Sequence, residues 1–140
     1  MAGKQRNKKA AKRKPSEPAP CAVLWGLAPD SGRGAAVRDV LRDMGVLART
    51  VAPEGLNDPA GAFAHLPGLR RNPLPYAGKL PDCEFVLLCG LSSGQVDDFV
   101  ARCAEAGCQV GAKAVLTKAN RGWPLVRLIE TVQAEHEANS

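Results

Sequence analysis

Aromatic side chains are scarce in this 140-residue chain, at 4% of its residues. Any core must therefore be built from Leu, Val and Ala, which the 45% hydrophobic content permits. No stretch reaches the ~18 apolar residues that a membrane-spanning helix requires, so no membrane partner is expected. The charged N-terminus is not followed by an apolar run, so secretion is not expected either. The five cysteines (Cys21, Cys83, Cys89, Cys103 and Cys108) include no Cys-x-x-Cys pair. With His65 and His136 the only histidines, a four-ligand zinc site would have to be gathered from distant segments, so neither a metal nor a cofactor is expected. An odd number of thiols without a secretory leader points to reduced cysteines in a cytoplasm. The phosphate-binding fingerprints are missing as well. Gly26, Gly32 and Gly34 surround Asp30 and Ser31, but no Gly-Lys-Ser/Thr follows and no Gly-x-Gly-x-x-Gly occurs, so a turn and a helix cap account for them.

What charge there is lies mostly at one end. Residues 1–20 hold seven Lys or Arg and one acid, a net +6, whereas the rest of the chain nets −1. These first residues carry no large apolar side chain after Met1 and cannot bury enough surface to offset ordering entropy; they read as a disordered basic tail. Lys8, Lys9, Lys12, Arg13 and Lys14 are its candidate nucleic-acid contacts, by neutralising phosphates without reading sequence. Arg70, Arg71 and Tyr76 could extend that surface. The tail has no aromatic to stack on bases, and a plain solubilising extension is the other reading.

Residues 21–140 read as a single α/β domain. Residues 22–27 form an apolar strand, and Asp30 or Ser31 caps a helix with Val37, Val40, Leu41 and Met44 on one face, ended by Gly45. Residues 46–51 form a second strand. A connector spans residues 53–81 with six prolines. Within it residues 58–66 suit a short helix, with Asp58 as cap and Pro59 at the first helical position. The pattern then repeats: a strand at 84–90, a helix opened by Ser92 or Ser93 with Val96, Phe99, Val100 and Cys103 inward, Gly107 at its end, and a strand at 109–116. Residues 117–123 make a turn, and Pro124 opens a last helix with Leu125, Leu128, Ile129 and Val132 on its apolar face. The first strand of each unit is apolar throughout and the second is mixed, as for two central and two edge strands. Two βαβ units forming a four-stranded sheet predict a ferredoxin-like α+β sandwich with a C-terminal helix. A small parallel doubly wound sheet is the alternative.

The run from Lys113 to Trp123 (Lys-Ala-Val-Leu-Thr, then Asn120 and Trp123), the amphipathic helix through Leu128 and the ending Glu135-His136-Glu137 carry a resemblance. Together with Leu-Leu-Cys-Gly-Leu at 87–91, they resemble a bacterial family, domain of unknown function 3783. The likeness covers residues 84–138 well and 22–68 more loosely, where Leu66-Pro67-Gly68 sits at a Leu-x-Gly element of such proteins. It implies no reaction, cofactor or catalytic residue.

The turn is the candidate ligand site. It joins a strand end to a helix start, where free amides and the helix dipole favour an anion. Thr117, Asn120 and Arg121 add a hydroxyl, an amide and a guanidinium, and Trp123 a stacking surface. The plainer reading has Thr117 and Asn120 bonding turn backbone and Trp123 plugging the core. Cys89 and Ser92, just past a strand end, are candidate nucleophiles for a small enzyme, but no orienting His accompanies them. His136 between two glutamates reads as a solvated helix end. The expectation is a non-catalytic binding or regulatory module. The alternative is an RNA- or ribosome-associated accessory protein held by its tail.

Overall fold

The computed structural model describes residues 19–138. Strands β1 (Cys21–Trp25), β2 (Leu47–Thr50), β3 (Phe85–Cys89) and β4 (Ala112–Val115) alternate with helices α1 (Gly32–Asp43), α2 (Ser93–Glu105) and α3 (Leu125–Ala138). Two 3-10 turns, Pro53–Asn57 and Ala60–Ala64, lie between β2 and β3.

Helix α1 begins where the Ser31 hydroxyl accepts from the Gly34 amide at 2.9 Å. Helix α2 begins with a reciprocal capping box: Ser92 accepts from Gln95 N, and the Gln95 side chain accepts from Ser92 N at 2.8 Å. Both helices end in the same six-to-one closure. Val46 N donates to Leu41 O at 2.9 Å, and Cys108 N to Cys103 O at 2.9 Å. Gly45 (φ +73) and Gly107 (φ +71) supply the left-handed residue that this closure needs.

Each helix joins neighbouring parallel strands, β1 to β2 and β3 to β4. The two units meet through an antiparallel β1–β3 ladder that pairs Cys21 with Cys89, Val23 with Leu87 and Trp25 with Phe85. The strand order is β2-β1-β3-β4. The main expected elements are present: a four-stranded sheet from two βαβ units, apolar strands in the centre, strands of mixed composition at the edges and a C-terminal helix. The strand order itself differs in detail from a ferredoxin-like sandwich, in which a further strand separates the parallel pair of each unit, and from an all-parallel sheet. The connector brings the chain back on the free side of β1, where β3 adds antiparallel instead of inserting between β1 and β2.

That return path also covers the second face. Ala22, Leu24, Val86 and Leu88 point to α1 and α2, meeting Val37, Leu41 and Phe99. Val23, Trp25, Phe85 and Leu87 point the other way, to α3 and the connector, meeting Leu56, Leu66, Leu125 and Ile129. The sheet is thus the middle of three layers, and β1 and β3 are buried at every position. Each large side chain sealed in these layers contributes about 1.5–3 kcal/mol.

One local expectation is corrected. Asp58 does not cap a helix: Pro59 precedes the Ala60–Ala64 turn and no side chain caps it. With its backbone extended (φ −72, ψ 145), Asp58 turns its carboxylate into the connector. There it accepts from Asn72 N at 2.7 Å and Arg71 Nε at 3.2 Å. Its carbonyl meanwhile accepts from Leu125 N at 2.9 Å, satisfying a first-turn amide of α3.

Candidate functional site

The turn after β4 is closed by its own side chains. Asn120 Oδ1 accepts from Thr117 N at 2.8 Å, Asn120 Nδ2 donates to Val115 O at 3.0 Å, and Thr117 Oγ1 accepts from Asn120 N at 3.2 Å. These bonds fix the orientation of the Asn120 amide and use one of its two donors and one of its two acceptor positions. Trp123 is half-buried against the core beneath α3, with the Arg127 guanidinium 4.4 Å above its ring. The turn also grips the connector. Arg121 O accepts from Gly61 N and Trp123 O from Ala60 N, both at 2.8 Å. The approach at Gly61 is so close that a Cβ there would lie 3.1 Å from the Arg121 carbonyl oxygen. Thr117, Asn120, Arg121 and Trp123 are therefore brought together, as a clasp on residues 58–61.

The clasped segment forms one wall of a cleft of about 270 Å³, lined by Arg49, Thr50, Gly55, Asp58, Phe63, His65 and Arg71 among others. Arg49 sits on β2 opposite Val23 and so projects to the connector face. Its Nε is buried without a hydrogen-bond partner among the described residues. Arg71 is engaged by Asp58, whose side chain is 7% exposed, whereas Arg49 forms no ion pair with a carboxylate among the described residues and acts on the Cys21 thiol instead. His65 closes the Ala60–Ala64 turn in the left-handed region (φ 57, ψ 35). Among the described residues it is the only non-glycine with positive φ, and such strain gathers at binding sites.

The thiols fall into three settings. Cys21 is held down to about 7, first by hydrogen bonding from Cys89 and then by Arg49, against the opposing pull of burial. Cys89 is raised by the same contact and by burial. Cys103 is pushed up to about 12 by burial and by Cys108, and burial raises Cys83. Full burial and a raised pKa keep Cys89 from attacking a substrate that arrives from solvent, and the Ser92 hydroxyl accepts the Gln95 amide in its cap. His136 leans on Gly111, where a Cβ would come within 2.6 Å of its Nε2. With Cys103 and Lys113 it lines a second cleft of about 290 Å³, in which the Lys113 ammonium already donates to Val110 O. Lys8, Lys9, Lys12, Arg13 and Lys14 lie outside the described residues.

Sequence reasoning passed over Arg49, Asp58 and His65 as ligand contacts. A usable signal existed for Arg49. In the strand 46–51 it shares the parity of Val51, an inward position, yet it carries a charge. Mixed composition marks an edge strand whichever way its side chains point, so it does not by itself disclose an inward charge.

No helix of the described residues is long and apolar enough to cross a membrane. No three His, Cys, Asp or Glu side chains among the described residues converge to hold a metal ion. No curated protein and no solved structure matches the chain. Residues 84–138, which comprise β3, α2, β4 and α3, match the model of a family described as Domain of unknown function (DUF3783), the stretch on which the sequence resemblance rests.

Proposed function

We propose that this protein is a non-catalytic binding module for a small anion, seated in the Arg49 cleft. The observation that carries the reading is Arg49, which lines the cleft and whose buried Nε has no hydrogen-bond partner among the described residues. An unmet buried donor costs about 1–3 kcal/mol, and a phosphate or carboxylate oxygen would remove that cost while neutralising the charge. A guanidinium presents a planar fork suited to such groups. Thr50, the residue after Arg49, is registered beside Leu24 and its Oγ1 accepts from Arg38 Nη2 at 2.6 Å, so its hydroxyl serves the opposite face of the sheet and the cleft depends on Arg49. In this reading Thr117, Asn120, Arg121 and Trp123 serve the ligand indirectly, by holding the wall that carries Asp58 and His65. The five free cysteines favour a reducing, cytoplasmic setting.

Titration of the full chain with inorganic phosphate, read by thermal shift and calorimetry, tests the proposal. Phosphate at a hundred times its Kd should add about 2.7 kcal/mol of stability, and Arg49→Ala should weaken binding at least tenfold. Equal stabilisation of the wild type and Arg49→Ala, or none in either, overturns it. Loss of binding in Arg121→Ala with Arg49→Ala unaffected would move the ligand to the turn.

A second reading, an RNA- or ribosome-associated accessory role, is favoured by the net +6 of residues 1–20. It requires RNA retention at low salt that weakens steeply as salt rises and vanishes when residues 1–20 are deleted.

A further inference from the structure

The β1–β3 ladder has an approximate two-fold centred on the Val23–Leu87 pair. At one end it pairs Trp25 with Phe85, and at the other Cys21 with Cys89. All four side chains point to the connector face, yet one end is filled by two rings and the other by two thiols. Directly opposed residues of an antiparallel pair have Cα atoms about 4.5–5.5 Å apart, inside the span that a disulfide bridges. Each thiol shifts the titration of the other, and Arg49, registered two residues along from the partner of Cys21 on the adjacent strand, favours the Cys21 thiolate. Of the two, Cys21 opens its strand and keeps 3% exposure, while Cys89 has none.

The other close pair has a different explanation. Cys103 and Cys108 occupy the apolar contact of a helix-end closure that Leu41 and Val46 fill at the end of α1. Shape alone accounts for them. No comparable packing rule calls for thiols at positions 21 and 89.

We propose that Cys21 and Cys89 are a redox-active dithiol that a hydroperoxide closes to a β1–β3 disulfide, and that closure tunes the anion cleft through Arg49. The Cys21 thiolate attacks one peroxide oxygen. The O–O bond breaks, sulfur is oxidised to the sulfenic acid, and the departing alkoxide takes a proton to leave as an alcohol, or as water from hydrogen peroxide. Cys89 sulfur then attacks Cys21 Sγ. The S–S bond forms, the S–O bond breaks, and hydroxide leaves with the Cys89 proton as water. Overall, two thiols and one hydroperoxide give a disulfide, an alcohol and water, and an external dithiol restores the pair. Closure removes the thiolate that faces Arg49 and leaves its charge to the cleft. That second half rests on the anion-binding reading; the first half does not.

The test uses the full-length wild type under native conditions with equimolar hydrogen peroxide, followed by non-reducing peptide mapping. The expected product is a single linked peptide pair containing Cys21 and Cys89, reversed by dithiothreitol and absent in Cys21→Ser. Phosphate affinity above pH 7 should rise several-fold in the oxidised protein. Should Cys21 and Cys89 remain alkylatable while Cys103 and Cys108 become linked, the dithiol assignment is wrong, and this is read on the wild type whatever the variants do. A Cys21–Cys89 bond with unchanged phosphate affinity overturns the coupling alone. Absence of phosphate binding in both redox states overturns the anion reading and leaves the disulfide result standing.

Discussion

The two strand–helix–strand units of this protein are close copies up to the end of their second strand, and they part company afterwards. Both open with an apolar strand running into a left-handed glycine, Gly26 at φ +74 and Gly90 at φ +72. Both continue into a serine-capped helix ended by glycine. The second unit is followed by α3, a regular amphipathic helix that seals its half of the sheet with Leu125, Leu128 and Ile129. The first is followed by a proline-broken connector that seals the other half with two 3-10 turns and a buried carboxylate. The polar, strained and unpartnered groups gather under the irregular half. Repetition supplies the scaffold, and the place where it lapses supplies the cleft.

The comparison can be broken most severely at Gly26. A Cβ there would lie 2.3 Å from the Cys83 carbonyl oxygen, whereas Gly45 and Gly107, at similar φ, meet nothing within 4 Å. Gly26→Ala should cost about 3 kcal/mol or more in urea denaturation, and Gly45→Ala or Gly107→Ala about 1 kcal/mol each. Equal costs at the three sites would show that the return of the connector to β3 is not tightly held.

Next in size is Asp58. Asp58→Ala leaves the Asn72 amide unmet and frees Arg71, for an expected loss of about 2–3 kcal/mol. Faster amide exchange over residues 66–76 should accompany it. On the regular half, Glu130→Ala, at an exposed position of α3, should stay within about 0.5 kcal/mol. Similar losses for both would mean that the connector is no more dependent on buried polar bonds than the helix is.

The smallest effect is a pH dependence. Cys21 is lowered in the folded protein to about 7 from 9.0, so the unfolded chain binds more protons between those values and stability rises with pH across that window. The gain is full above pH 9 and lost as pH falls through 7. The difference between those two values sets its ceiling at about 2.7 kcal/mol. Cys89 and Cys103 are raised, so their contribution falls away above pH 9. Cys21→Ser should flatten the rise between pH 7 and 9, and an unchanged slope would remove Cys21 as its source.

The legible parts of the fold were those set by neighbours in the chain. Ser31 and Ser92 announce their helices because a cap acts over three residues, and Gly45 and Gly107 end them because only the local backbone must turn left-handed. The apolar runs at 22–27 and 84–90 announce central strands for a similar reason. The direction in which β3 meets β1 is set by the path of residues 53–81, which no local pattern encodes. Asp58 read as a cap because its local context, Asp-Pro before small residues, fits one; its actual partners, Arg71 and Asn72, lie 13 and 14 residues away. The turn at Thr117–Trp123 was legible as a built structure, and its internal bonds are the plainer of the two roles the sequence allowed. Arg49 was missed because its meaning depends on Cys21 and the connector, both distant in sequence.

The antiparallel seam between the units carries a consequence for synthesis of the chain. Until residues 85–89 have emerged from the ribosome, β1 offers a wholly apolar strand with one open edge, and that edge is a template for whatever strand arrives first. A second nascent copy offers its own β1 to that edge, although such a pairing would set Cys21 opposite Trp25 at both ends in place of the native Cys–Cys and Trp–Phe pairs. The spacing of 60-odd residues between the mates sets the interval over which crowded translation would favour intermolecular pairing.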